Sequence, residues 1–156
     1  MLSSTFRKRS PLTSGKTKAI RLLLVDDHEV VRIGLRSVLN NNRGISVVGE
    51  AGTKVAAVRA VKRLRPDIIL MDVILPDVNG REIVHQLQKD PATAKIPIIF
   101  TTNTLSLEVD DGNQVFEVDH VKYRAFAKPL HYRKLLSAIH KEINRSIHGG
   151  DLPPPK

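Results

Sequence analysis

Two runs of large apolar residues, Leu22-Leu23-Leu24-Val25 and Ile68-Ile69-Leu70-Met71, carry no polar alternation, and each runs straight into carboxylates: Asp26-Asp27 after the first, Asp72 after the second. A strand with one wet face alternates apolar and polar residues. An unbroken run instead suits a strand covered on both faces, as in a parallel sheet flanked by helices. The acids then stand at the C-terminal edge of the sheet, where open α/β folds bind ligands.

The rest of the chain repeats the pattern. After the first strand, Val31, Leu35, Val38 and Leu39 recur at helical spacing with Arg32 and Arg36 turned outward, and Asn40 to Gly44 stops the helix. Ile45 to Glu50 reads as an edge strand, and Thr53 can cap a helix to Leu64 that buries Ala57, Val58, Val61 and Leu64. The strand into Asp72 is followed by a loop through Pro76 and Asn79-Gly80, then a helix from Arg81 to Lys89 with Ile83, Val84 and Leu87 inward. Pro97 to Phe100 is a fourth strand ending in Thr101-Thr102, and Arg124 to Ala127 a short fifth that delivers Lys128-Pro129. A last helix, about His131 to Ile147, places Tyr132, Leu135, Leu136, Ile139, Ile143 and Ile147 on one face, with Arg133, Lys134, Lys141 and Arg145 on the solvated one. Such alternation predicts an α/β fold, a doubly wound five-stranded parallel sheet of order 2-1-3-4-5. Under that order Asp26, Asp27 and Asp72 meet in one crevice, with Thr102 and Lys128 on its far side.

The expected organisation is a basic tail over 1–19, one domain over 20–147 and a Gly/Pro-rich tail over 148–156. Six of the 25 basic residues and none of the 16 acids fall in the first 21 positions. That leader fits a solvated tail, a segment touching nucleic acid or an anionic surface, or a targeting peptide. With no cysteine, disulfides and thiolate metal sites are excluded. No apolar run is long enough to span a bilayer, so a cytoplasmic protein is expected. His28, His85, His120, His131, His140 and His148 show no metal-ligand spacing and read as surface residues.

Like charges ~4 Å apart repel by about 4 kcal/mol even at an effective dielectric of ~20. Three convergent carboxylates therefore need a proton or a cation. Oxygen-only ligands suit Mg²⁺, and Asp72 could then act as a nucleophile on phosphorus, with Lys128 neutralising charge and Thr102 sensing the product.

These residues resemble the receiver domain of two-component response regulators (CheY-like): the acidic pair Asp26-Asp27, Met71-Asp72 with Pro76 and Gly80 behind it, Thr102 five residues after Pro97, and Lys128-Pro129. The resemblance covers roughly residues 20–147. It implies that Asp72 accepts a phosphoryl group from a histidine kinase or phosphotransfer protein. It also implies that Asp27, Asp72 and the Ile74 carbonyl hold Mg²⁺ with Asp26 assisting through water, that Lys128 contacts the phosphoryl group and that Thr102 moves to it. A downstream protein would read the change, and homodimer formation is left open. Such a domain is no enzyme beyond its own phosphorylation and dephosphorylation.

The first half, Val25-Asp26-Asp27-His28-Glu29 and Val47-Val48-Gly49-Glu50-Ala51, is most similar to receivers that precede a helix-turn-helix domain. Nine residues follow the last predicted helix, so a stand-alone receiver or a fragment is expected, with no direct DNA binding.

Two positions depart from the family. Its usual aromatic, three residues before the lysine, is Ala125 here; Phe126 faces the opposite side of the strand, and Tyr123 has the right parity but sits further back. Between Thr102 and Lys128, where a helix is usual, Leu105 to Val118 alternates apolar and polar about Asp111-Gly112. That is a hairpin signal, with a shortened helix as the other reading.

Rival functions are an Asp72 phosphohydrolase and a phosphorylation-silent interaction module binding nucleic acid through the basic tail. The first lacks a second acid two residues on, where Ile74 stands. The second predicts steep salt dependence and indifference to Asp72.

Overall fold

The computed structural model describes residues 17–103, 108–110 and 113–148. Strands β1 (Ile20–Val25), β2 (Ile45–Ala51), β3 (Ile68–Asp72), β4 (Ile98–Thr102), β5 (Glu108–Asp110), β6 (Asn113–Val118) and β7 (Val121–Ala127) alternate with helices α1 (Glu29–Asn40), α2 (Lys54–Leu64), α3 (Gly80–Gln88) and α4 (Tyr132–Ile147). They form one sheet of order β2-β1-β3-β4-β7-β6-β5. Its first five members are parallel, with β7 as the expected fifth strand.

The sheet is nonetheless seven-stranded. Past β4 the described chain holds no helix before α4; β5 and β6 pair antiparallel, and β6 pairs antiparallel with β7. The first of these hairpins is the one read from the alternation, although its Asp111-Gly112 turn lies outside the described residues. The second was not read. Its turn, Asp119-His120, has φ of 51° and 64°, the left-handed pair that suits a tight two-residue hairpin. That turn extends β7 back to Val121.

The two-sided strands explain the core. On one face Leu23, Val25, Ile69, Met71, Phe100 and Ala125 pack with Ala57, Val61, Ile83, Val84 and Leu87 of α2 and α3. On the other, Leu22, Leu24, Ile68, Leu70 and Ile99 pack with Leu39, Leu135 and Ile139 of α1 and α4. Thr53 caps α2 by accepting from the Ala56 amide at 3.2 Å, and Asn79 caps α3 through the Arg81 amide. Two helical positions expected inside are outside: Val38 and Ile147 are exposed. Arg32, expected to point outward, folds back over β2, its Nε 3.5 Å from Glu50 and its Nη1 donating to the Asp26 carbonyl. None of the described helices is long and apolar enough to cross a membrane.

In place of the usual helix, β6 and β7 send aromatic side chains onto the α3 face. Phe116 and Tyr123 lie edge-on against Phe100, with ring centroids 4.7 and 5.5 Å away. Arg81 sits over the Phe116 ring at 4.5 Å. Tyr123 and Ala125 share that face while Phe126 packs on the opposite one, as strand parity requires.

Candidate phosphoryl-acceptor site

Strand register assembles the site. Val25 pairs with Met71, so Asp26 and Asp72 leave adjacent strands at the same level. Asp72 pairs with Thr101, and Thr102 with Ala127, so Lys128 emerges one residue beyond. The Lys128 amide donates to the Thr102 carbonyl at 2.8 Å, which anchors the base of its side chain.

Lys128 Nζ then donates to Asp26 Oδ2 at 2.7 Å and to Asp72 Oδ2 at 2.9 Å. Asp26 and Asp72 are buried, at 3% and 4% exposure. Each has its second oxygen turned to a backbone amide. Asp26 Oδ1 accepts from His28 at 2.9 Å and Asp72 Oδ1 from Ile74 at 3.1 Å. The loop after Asp72 doubles back: Val73 donates to Thr101, Leu75 to Val78 and Gly80 to Val73. Ile74 lies in this arch with its side chain exposed. Gly80 closes it because a Cβ there would stand 3.1 Å from the Asp72 carbonyl oxygen.

Burial pushes the Asp26 carboxyl up, but the hydrogen bonds from Lys128 and the His28 amide outweigh it and hold Asp26 below the ordinary carboxylate range. For Lys128 burial pulls downward, and the bonds to Asp26 and Asp72 prevail, raising it. Both groups are therefore charged at neutral pH.

Asp27 is less enclosed, its side chain 27% exposed. Its Oδ1 is nevertheless buried and makes no hydrogen bond among the described residues, although His28 Nδ1, which is hydrogen-bonded to Asp26, lies 3.0 Å away. Single oxygens of Asp26, Asp27 and Asp72 and a ring nitrogen of His28 all lie within 4.8 Å of one another. One lysine cannot balance three carboxylates, and the orphaned Asp27 oxygen has the position and chemistry of a cation ligand. The donors present fit a hard divalent ion.

Asp26, Asp27, Asp72 and Lys128 are thus brought together, and Thr102 is buried at the end of the neighbouring strand. Sequence reasoning passed over His28. Its side chain is 58% exposed, as a surface residue should be, yet Nδ1 lies 3.2 Å from Asp26 Oδ1 and 3.0 Å from Asp27 Oδ1. Its one signal was adjacency to Asp27.

A family model described as the response regulator receiver domain matches residues 22–140. The chain belongs to this family. Among curated relatives, the response regulator protein VraR of Staphylococcus epidermidis is 41% identical to this receiver over 81 residues, 52% of the chain and 39% of the relative. VraR of Staphylococcus aureus strain Mu3 is 43% identical over 77 residues, 49% of the chain and 37% of the relative. The matches therefore span about two fifths of those relatives' length. Among solved structures, the signal receiver domain of a modulated diguanylate cyclase from Desulfovibrio desulfuricans G20, described as an example of alternate folding, aligns at TM-score 0.66 and 26% identity. That alignment covers 85% of this receiver and 99% of the other chain. A CheY-like receiver from Methanospirillum hungatei JF-1 aligns at TM-score 0.67 over 85% of this chain and all of its own; at 23% identity it bears on the fold alone.

Proposed function

We propose that this receiver of two-component signalling accepts a phosphoryl group on Asp72 from the phosphorylated imidazole of a histidine kinase or phosphotransfer protein. The observation that carries the reading is Lys128 Nζ shared between Asp26 Oδ2 and Asp72 Oδ2. Asp72 Oδ2 attacks phosphorus; the P–N bond breaks, its electron pair stays on the donor imidazole, which takes up a proton, and an acyl phosphate remains on Asp72. Lys128 stands where it can move from the carboxylate to a phosphoryl oxygen. The Ile74 amide keeps Asp72 Oδ1 fixed, so the nucleophile does not rotate away. Asp26, Asp27, Asp72 and the Ile74 carbonyl would hold Mg²⁺, which supplies positive charge to the transferring group. Water attack on phosphorus later restores the carboxylate, and the chain performs no other catalysis.

Thr102, carried beside Lys128 on β4, is the group that turns to the new phosphate. Phosphorylation then shifts a surface that a downstream protein, or a second copy of the chain, reads in the cytoplasm. The aromatic lever usual in the family is replaced here by Ala125, with Phe116 and Tyr123 packed around Phe100 on the same face. The β6–β7 hairpin is accordingly the element through which the change is passed outward.

The test uses phosphoramidate, whose P–N bond matches that of the imidazole donor, followed by borohydride reduction and peptide mapping. Homoserine at position 72 is expected. Label on a histidine, or none in the presence of Mg²⁺, would contradict the assignment.

A further inference from the structure

We propose that His28 adds an imidazole nitrogen to the carboxylate cluster, so that the site binds first-row transition-metal dications such as Mn²⁺ and Ni²⁺ with a preference over Mg²⁺ that carboxylates alone would not give. The inference rests on the reading of the site as a divalent-cation centre and extends it to which cation the chain selects.

His28 is the N-cap residue of α1, yet its side chain makes no capping hydrogen bond to the helix amides. The ring instead turns to the carboxylates. Its own amide is pinned to Asp26 Oδ1 at 2.9 Å, which directs Nδ1 to within 3.2 Å of Asp26 Oδ1 and 3.0 Å of Asp27 Oδ1. Neither neutral tautomer satisfies this cluster. A proton on Nδ1 serves Asp26 and leaves Asp27 Oδ1 buried without a hydrogen bond. A proton on Nε2 aims a ring lone pair at carboxylate oxygens. A shared cation removes both conflicts.

Lys128 takes Oδ2 of Asp26 and of Asp72, and Asp27, His28 and the other oxygens of those two acids remain to the ion. Because the ring is 58% exposed, an ion and its remaining waters can enter beside it. Mg²⁺ favours oxygen and gives up water reluctantly, whereas imidazole suits Ni²⁺ and its neighbours. The nitrogen therefore contributes to binding of one class of ion and little to the other.

The test compares the full chain with His28→Gln and Asp27→Asn. Spin-echo modulation of bound Mn²⁺ reads directly coordinated nitrogen, and calorimetry gives Ni²⁺ and Mg²⁺ affinities. Expected are nitrogen modulation in the wild type that is lost in His28→Gln, and a Ni²⁺-to-Mg²⁺ affinity ratio lowered at least about tenfold in that variant with Mg²⁺ affinity little changed. Bound Mn²⁺ without nitrogen modulation in the wild type overturns the proposal, as does an unchanged ratio in His28→Gln. A nitrogen signal that survives His28→Gln places the ion on another histidine and overturns it too, and Mn²⁺ affinity unchanged in Asp27→Asn places the ion outside this cluster and does the same. Phosphoryl capture by Asp72 is read separately by mass, so loss of the nitrogen ligand leaves that function standing.

Discussion

The Phe116 ring meets the Phe100 ring edge-on, centroids 4.7 Å apart and planes inclined at 62°. Through this contact an antiparallel hairpin does the packing that a helix performs in other receivers. Phe116→Ala is predicted to cost about 2 kcal/mol, less than for a fully enclosed phenylalanine because this side chain is only half-buried. Urea unfolding measures it. A loss below ~0.5 kcal/mol, the size of a neutral surface change, would show that the hairpin does not hold the core.

Asp119 and His120 both adopt positive φ, and His120 is almost fully exposed. Left-handed backbone costs a non-glycine residue roughly 1–2 kcal/mol. His120→Gly should therefore raise stability by about 1 kcal/mol, seen as a higher urea midpoint at unchanged slope.

How far the sequence could be read follows from these elements. Unbroken apolar runs gave the two-sided strands, and Thr53 announced the start of α2. Strand parity correctly separated Tyr123 from Phe126. The β6–β7 hairpin escaped because its turn lacks glycine, the usual mark of left-handed backbone. Val38 and Ile147 fit helical periodicity, yet each falls at the rim of its packing face, where spacing alone does not decide burial. His28 escaped because adjacency in sequence does not say which way a side chain turns at a helix N-cap. The convergence of the acids with Lys128 was legible, since strand order alone brings their strand ends together.

The bridge from Lys128 to Asp26 and Asp72 is lost at both ends of the pH scale. The lowered Asp26 carboxyl contributes stability that is present above its unfolded value of about 3.9 and is lost as pH falls through its lower folded value. The raised Lys128 contributes stability that is full below about 10.4 and is lost as pH rises through its higher folded value. Burial likewise raises the Tyr123 hydroxyl, adding to the alkaline loss. Lys128→Met should shrink both losses, as measured by urea titrations across pH. Limbs identical to the wild type would contradict the bridge.

Asp27 Oδ1 is buried without a hydrogen bond. Asp27→Asn should stabilise the metal-free chain by about 1 kcal/mol through relief of like-charge repulsion. It should also abolish the stabilisation that Mg²⁺ gives the wild type, which is about 2.7 kcal/mol at a concentration of ~100 times Kd. Thermal melts with and without Mg²⁺ read both effects.

A methyl group at Gly80 would press on the Asp72 carbonyl oxygen and the Phe100 ring, each 3.1 Å away. Gly80→Ala is expected to cost about 1–3 kcal/mol and to slow phosphoryl capture, because the backbone that must yield is that of the nucleophile. Equal labelling rates would show that the arch has slack.

The central claim is that Asp72 is a metal-assisted phosphoryl acceptor. Intact-protein mass after incubation with acetyl phosphate and Mg²⁺ tests it most directly, beside Asp72→Asn and an EDTA-treated sample. The account predicts one added phosphoryl group in the wild type and none in either control. No gain in the wild type with Mg²⁺ binding intact, or a gain that persists in Asp72→Asn, would contradict it.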